Sequence, residues 1–479
     1  MAFPKRDSFT PGGARTAAGM TRAARATPGN GPRPSHNADH SGAGVTQARI
    51  AAADICAELR EGHLLDSAFD RRTSQLDPRD RRWTRELVYG MLRRRARLDA
   101  WLDDRIRGGA ARLDPDLIDL LRLGAEQLLF MHSVPAYAAI GQTVELSKRR
   151  CGIGASKLVN AVLRRLDRER ASLDTPTIGD PADALALEFS HPTWLVSRWI
   201  ARWGAADTRA LLAANNAEAP LIARPIRTSL EQLAASLEAA GIATAVAPLV
   251  TDSLVLEGPV TSLTDIGAFR QGLFHLQDPA STLVTRFAAF PAGTTVADVC
   301  SAPGGKAVEL ARTARAVFAS DLSPSRARRI RENVERLQVT NLHAYAANAK
   351  EPAIGAVEGV LVDAPCTGTG TFRRHPDARW RLRVSDLAVM SAVQREILAS
   401  AAQLVRAGGL LVYSTCSLEP EENDEQVSRF LATHPGWVEE APPAGSVPVE
   451  TLDGARLRVL PQRDGTDGAF AARLRRTGA

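Results

Sequence analysis

The chain has 479 residues, 44% of them hydrophobic and 24% charged, enough for two or three separately cored domains of ordinary globular composition. Its net charge of +6 is mostly terminal: residues 1–46 hold six Lys/Arg against two Asp, or +4, so bulk charge alone does not argue for a nucleic-acid partner. No apolar run nears the ~18 residues of a membrane span, and Cys56, Cys151, Cys300, Cys366 and Cys416 are too widely and irregularly spaced for a disulfide framework or metal-ligand pairs. A cytoplasmic, reducing setting is expected, with no membrane or metal partner, and MAFPKRDSFTPGG lacks the apolar core of a secretory signal.

Residues 1–46 are rich in Gly, Pro, Ala, Thr and Arg and read as a disordered basic tail. A transit peptide is the alternative, against which the several Pro and Gly residues speak. Residues 47–172 show helical periodicity throughout. ARIAAADICAELREGHLLDSAF puts Ile50, Ile55, Leu59 and Leu65 near one stripe, and Trp83, Leu87, Val88, Met91 and Leu92 do the same in the next run. The polar side of that run carries Arg79, Arg81, Arg82, Arg85, Arg93, Arg94, Arg95 and Arg97 against Asp80 and Glu86. Such a run is by default a solvated helix face, yet eight arginines within nineteen residues point towards phosphate binding, with Arg81, Arg82, Arg85, Arg93 and Arg94 as candidate RNA contacts.

Residues 168–190 read as a linker, and 173–280 as linker plus a small α+β subdomain. Within it HPTWLVSRWIARWG, TRALLAANN and SLEQLAASLEAAGI are helical and PLIARPI and SLVLEG strand-like. Over 281–476 short apolar runs (TTVADVC, AVFASD, NLHAYAAN, GVLVDAP, GLLVYST) alternate with helical segments, which implies a parallel sheet with helices on both faces. The loop after the first of these strands, DVCSAPGGK, carries a Gly304-Gly305 pair, and the second strand ends in Asp321, where a carboxylate can accept two ribose hydroxyls. A Gly-Gly pair alone is usually a tight turn. The absence of GxGxxG spacing points to a nucleoside cofactor without a pyrophosphate, such as S-adenosylmethionine.

The fourth and fifth strands deliver Asp363-Ala-Pro-Cys366 and Ser414-Thr-Cys416-Ser to the same edge. One buried cysteine is usually inert packing; two at adjacent strand ends, one beside a carboxylate, are hard to explain that way. VCSAPGGK, LVDAPCTGTGTFRRHPDARW and GGLLVYSTCSLEPEEN closely resemble the Sun (Fmu) family of RNA cytosine-C5 methyltransferases. RELVYGMLRRRARLD, LRLGAEQLLFMHSVPAYAAI and LVNAVLRRL resemble the helical domain related to the antitermination factor NusB.

The resemblance covers nearly everything after residue 47. It implies a NusB-like all-α domain, a small α+β (RNA-recognition-like) subdomain and an α/β Rossmann-like class I methyltransferase domain. It also implies S-adenosyl-L-methionine as cofactor and RNA as partner, small-subunit (16S) ribosomal RNA foremost; a monomer is expected. Carried over by resemblance, Cys416 is the nucleophile, Cys366 the release base, and Asp363 a partner of the cytosine ring. The cofactor residues would be Cys300, Ser301, Ala302, Pro303, Gly304, Gly305, Lys306, Asp321, Asn348 and Asp363. Asn348 stands where an Asp is usual, Ser301 where an Ala is common, and Ala469 where an aromatic is usual. Arg373, Arg374, His375 and Arg379 follow the PC loop and are read as phosphate-positioning rather than as a solvated loop. Two other readings remain: an RNA-binding assembly or antitermination factor with a vestigial methyltransferase domain, and a DNA cytosine methyltransferase, whose nucleophile would be the PC cysteine.

Overall fold

The computed structural model describes residues 44–173, 178–258, 260 and 262–478, so the expected basic tail lies almost wholly outside the described residues. The expected all-helical region holds six α-helices: Gln47–Arg60, Leu65–Thr73, Pro78–Asp103, Pro115–Phe130, Ala136–Cys151 and Ile153–Arg168. Asp77 and Asp114 cap the third and fourth, each followed by proline at the first helical position, where a missing N–H costs nothing. Their apolar stripes close one core through Ile55, Leu87, Leu98, Leu121 and Leu163, and Leu173 and Trp380 from outside the domain pack against it.

The expected linker is partly ordered: Pro181–Phe189 is a helix capped by Asp180 and packed on the next helix, Thr193–Asn216. The two helices expected there run as one element broken at Gly204, whose φ of 79° only glycine adopts without strain. A small antiparallel sheet follows, made of β1 (Leu221–Pro225), β2 (Ala243–Val246), β3 (Leu254–Glu257) and β4 (Phe274–Leu276), in the order β2-β3-β1-β4, with helix Leu230–Ala239 between β1 and β2. The mostly exposed β2 and the three-residue β4 carry too little apolar pattern to be read from sequence.

The large sheet contains β5 (Thr295–Asp298), β6 (Ala316–Asp321), β7 (Leu342–Ala346), β8 (Val357–Asp363) and β9 (Val405–Thr415), all parallel, in the order β9-β8-β5-β6-β7. It is mixed rather than wholly parallel: β13 (Ala469–Arg476) pairs antiparallel with β9, and β10 (Trp437–Glu439), β11 (Leu452–Asp453) and β12 (Arg456–Val459) extend that edge. Alternate strand residues feed two cores, Val296, Leu361 and Val412 on one face and Ala297, Val360, Val362 and Leu411 on the other. From β5 the chain winds outward through β6 and β7, then returns to the other side as β8. The carboxyl ends of β5 and β8 therefore flank the topological switch point, where ligands bind in open α/β sheets.

Candidate active site

Asp298 ends β5, and the loop behind it folds back on β6: Ser301 N donates to Ser320 O at 2.8 Å and Gly304 N to Ser301 O at 2.7 Å. Gly304 has φ 100°, and a Cβ there would also sit 3.0 Å from the Ile330 side chain. The Asp298 carboxyl is fully buried; neither of its oxygens nor Ser301 Oγ makes a hydrogen bond within the chain. Burial, and then the neighbouring Asp363 charge, push the Asp298 pKa up to about 7. Orphaned polar atoms beneath a glycine turn suit a polar ligand lying on the loop. Asp321 ends β6 with Oδ1 accepting from Ser323 N at 3.1 Å and Oδ2 facing Arg326 at 3.1 Å. Asn348 follows β7, its Oδ1 turned back onto Lys350 N at 3.1 Å. The expected cofactor residues, Cys300 to Lys306, Asp321, Asn348 and Asp363, thus lie at the carboxyl ends of four adjacent strands. That polar row fits a nucleoside-type cofactor.

A cleft of about 350 Å³ opens above the loop, lined by Ser301, Pro303, Lys306, Asp363, Gln277 and His375 among others. Lys306 Nζ donates to Asp363 Oδ2 at 2.8 Å, and Ser414 Oγ to Asp363 Oδ1 at 3.0 Å. Burial works against the lysine's charge, but Asp363 outweighs it and holds the Lys306 pKa above its ordinary value.

The two thiols meet beside this pair, Cys366 Sγ and Cys416 Sγ lying 3.3 Å apart. Cys366 is buried and Cys416 partly exposed. The hydrogen bond with Cys416, then burial, then the charge of Cys416 raise the Cys366 pKa well above that of a free thiol. The loops are stitched together behind the sulfurs: Gly370 N donates to Cys416 O at 2.9 Å and Gly468 N to Gly370 O at 2.8 Å. A Cβ on Gly370 would lie 2.7 Å from Cys416 O, so only glycine allows that approach.

The arginines divide. Arg82 and Arg85 are exposed, and Arg81 reaches Asp70 at 2.7 Å on the surface. Arg93 and Arg94 face inward: Arg93 donates to Arg373 O at 3.2 Å, and Arg94 pairs with the buried Glu126. The phosphate-positioning expectation for the loop after Cys366 needs correction. Arg373 is buried between Asp278 at 2.6 Å and Asp467 at 2.5 Å, and Arg374 pairs with the same two carboxylates at 2.7 Å each. Arg379 is fully buried and spends its donors on Asn216 Oδ1 at 2.7 Å and Asn215 O at 3.0 Å. Their charges serve domain contacts. His375 stays half exposed at the cleft, 3.3 Å from Asp66 of the helical domain.

Sequence reading missed Asp278, Asp467 and Glu422. Glu422 was visible in the acidic stretch after Cys416, but nothing there distinguishes a buried carboxylate from a solvated one.

Three family descriptions match the chain: "16S rRNA methyltransferase RsmB/F" over residues 289–475, "NusB family" over 46–168, and a ferredoxin-like domain of RsmF/B-like methyltransferases over 191–262. The ribosomal RNA small subunit methyltransferase B of Vibrio cholerae is 34% identical, with 90% of this chain and 98% of that protein covered. The enzyme of the same name from Pseudomonas syringae is 33% identical, covering 89% and 96% respectively. The crystal structure of PH0851 superposes with a TM-score of 0.75 at 25% identity, covering 91% of this chain and all of that one. A methyltransferase homologue from Pyrococcus horikoshii gives a TM-score of 0.53 at 26% identity over 63% of this chain and all of its own. With its helical, ferredoxin-like and Rossmann-like parts matched in order and its relatives covered almost end to end, the chain belongs to the RsmB/F family of 16S rRNA methyltransferases.

Proposed function

We propose that this methyltransferase acts on C5 of a cytosine in small-subunit (16S) ribosomal RNA, with Cys416 as nucleophile and Cys366 as the base that releases it. The observation that carries the reading is the thiol pair, 3.3 Å apart and beside the Lys306–Asp363 ion pair at the switch point. Cytosine C5 is a weak nucleophile. When the Cys416 thiolate adds to C6, the C5=C6 electron pair becomes available at C5. S-adenosyl-L-methionine, when bound, supplies an electrophilic methyl group, and Asp298, Ser301, Asp321 and Asn348 would hold it. After transfer, Cys366 takes the C5 proton; the C–H pair restores C5=C6, and the C6–S bond breaks to return the thiolate. Asp363, fixed by Lys306 and Ser414, would hydrogen-bond the ring while it carries the added electron density.

The target base must leave its stack to reach both sulfurs, which favours a loop or partly unfolded RNA. The exposed Arg82 and Arg85 and the half-buried Arg81 of the helical domain, together with His375 at the cleft, offer phosphate contacts. We divide the chain at 47–172, 173–280 and 281–476, a reading supported by family matches that fall at 46–168, 191–262 and 289–475. No helix among the described residues is long and apolar enough to cross a membrane, and no group there offers metal-ligand geometry. Cys416→Ala is expected to abolish methyl transfer to 16S RNA, and Cys366→Ala to accumulate a denaturant-stable protein–RNA adduct. Full activity of the Cys416 variant, or an adduct that forms only through Cys366, would overturn the assignment.

A further inference from the structure

A cavity of about 750 Å³ opens between the helical domain and the segment that follows the PC loop, and it shares no lining residue with the cleft above the cofactor loop. Met91, Arg95, Asp99 and Asp103, at every fourth position of helix Pro78–Asp103, line one wall. Leu113 and Ile118 give it apolar surface, and Trp380 closes it from the methyltransferase domain. Trp380 is fixed there because its Nε1 donates to Leu92 O at 2.8 Å. A void of this size is ample for a nucleotide.

Most of the charge at the cavity is spent within the chain. Arg122 donates to both Asp99 oxygens, at 2.6 and 2.9 Å, and to Asp119 Oδ1 at 2.8 Å. Arg60 takes the other Asp119 oxygen, and Arg381 pairs with Asp377 at 2.9 Å. Two groups are left over. Among the described residues none accepts a hydrogen bond from Arg95; its nearest carboxylate, the already occupied Asp99, is 3.9 Å away. The Arg95 guanidinium rides 5.3 Å over the Trp380 ring, a contact that steadies it and leaves its N–H edge free. Asp103 Oδ1 accepts from Ala110 N at 2.6 Å, while Asp103 Oδ2 has no partner among the described residues.

We propose that this cavity takes a guanine base, with Arg95 as the residue that reads it. A guanidinium edge offers two parallel donors and needs two acceptors side by side, which guanine presents as O6 and N7. Adenine sets a donor amino group beside N7, so one of the two contacts becomes donor against donor. Guanine also carries the N1–H and N2 donors, which suit the open oxygen of Asp103. Arg95 and Asp103 are eight residues apart, about 12 Å along the helix. A purine about 6 Å across with a hydrogen bond of about 2.9 Å at each side spans the same length, and a single pyrimidine ring does not. The same chemistry arrives on an unpaired base of RNA or on a free guanine nucleotide. It is independent of the thiol chemistry.

Equilibrium dialysis of the full chain against GMP, AMP and CMP tests the site, with saturating S-adenosylhomocysteine present to occupy the cofactor cleft. GMP is expected to bind at least about tenfold more tightly than AMP or CMP, as a bidentate arginine–guanine pair discriminates. Arg95→Ala, which removes no hydrogen bond of the fold, is expected to abolish that preference. 7-Deaza-GMP lacks the N7 acceptor and is expected to bind the wild type at least about fivefold more weakly than GMP, a measurement that needs no variant to fold. Equal affinities for GMP, AMP and CMP, equal affinities for GMP and 7-deaza-GMP, or a preference kept by Arg95→Ala would overturn the proposal. Photocrosslinking a 6-thioguanosine-substituted 16S RNA fragment to the wild type separates the two sources. A crosslink on the peptides that carry Met91 to Asp103 or Trp380 assigns the base to RNA; a GMP preference without that crosslink assigns it to a free nucleotide.

Discussion

The Asp298 carboxyl is held in a place where its charge is unwelcome, and its sign can be worked out. Its pKa rises from the ordinary 3.8 to about 7 because burial, chiefly, and Asp363 disfavour the anion. A folded-state pKa above the unfolded one contributes stability that is complete below the unfolded value and is lost as pH rises through the folded one. Between about pH 4 and 7 this residue therefore removes stability, by up to about 4 kcal/mol for three pKa units. Asp298→Asn cannot ionise and is expected to gain melting temperature relative to the wild type as pH goes from acid to alkaline; parallel melting curves across that range would contradict it. The thiols allow a second expectation at this scale. Sulfurs 3.3 Å apart need little movement to reach the ~2.05 Å of a disulfide. Peroxide is expected to oxidise the pair, two thiols giving one disulfide and two waters, with methyl transfer lost and then restored by dithiothreitol. Mass spectrometry of the Cys366–Cys416 crosslink checks it.

The segment from Phe372 to Arg381 is the element that ties the molecule together. It begins six residues after Cys366 and touches all three parts of the chain. Phe372 is fully buried with Trp199 and Leu211, Arg373 and Arg374 bind Asp278 and Asp467, His375 meets Asp66, and Trp380 Nε1 donates to Leu92 O at 2.8 Å. Removing Phe372 to alanine is expected to cost about 3–5 kcal/mol through the cavity left. Arg373→Ala leaves Asp278 and Asp467 with Arg374 as their remaining ion-pair partner and is expected to cost less than Phe372→Ala, about 1.5–3 kcal/mol. Urea unfolding followed by domain-specific probes measures both, and loss of RNA affinity without loss of stability would argue instead for phosphate contact. The His375–Asp66 contact adds a pH dependence. Burial lowers the histidine pKa, but Asp66 outweighs it, so the value lies above 6.5, while Asp66 falls to about 2. The histidine's contribution is present below 6.5 and is lost as pH rises through its raised folded value. What the sequence revealed and withheld follows from the same physics. Strand runs such as GVLVDAP and the helical stripe of Leu87, Val88 and Leu92 bury one kind of surface and so announce themselves. The thiol loops were legible because cysteine is rare in the chain. The fates of Arg373 and Arg379 were not, because an arginine facing RNA and one facing a distant carboxylate or carbonyl have the same neighbours in sequence; Asp278 lies 95 positions from Arg373.

At the scale of the whole molecule, the arginine-rich helix Pro78–Asp103 changes its surroundings along its length. Its first turns expose Arg82 and Arg85 to solvent, Arg85 lying 4.3 Å over the Tyr89 ring. Tyr89 OH donates to Asp66 at 2.7 Å, and Asp66 in turn meets His375, so a chain of contacts leads from Arg85 to the cleft above the cofactor loop. Its later turns face the rest of the chain: Arg94 pairs with Glu126, whose pKa burial raises to about 7, and Arg97 N donates to Ser190 Oγ at 3.3 Å. An arginine that neutralises an RNA phosphate releases counterions, and each such contact to single-stranded RNA adds roughly 0.7 to the slope of log affinity against log salt. Arg82→Ala and Arg85→Ala are each expected to lower that slope by about 0.7 and to weaken binding most at low salt. Arg94→Ala removes the partner of a buried carboxylate instead; it is expected to lower the melting temperature and leave the slope unchanged. Titrating 16S RNA fragments at several salt concentrations separates the two classes. If Arg94→Ala changed the slope as much as Arg82→Ala, the division of the helix into an RNA-facing and a domain-facing half would be wrong.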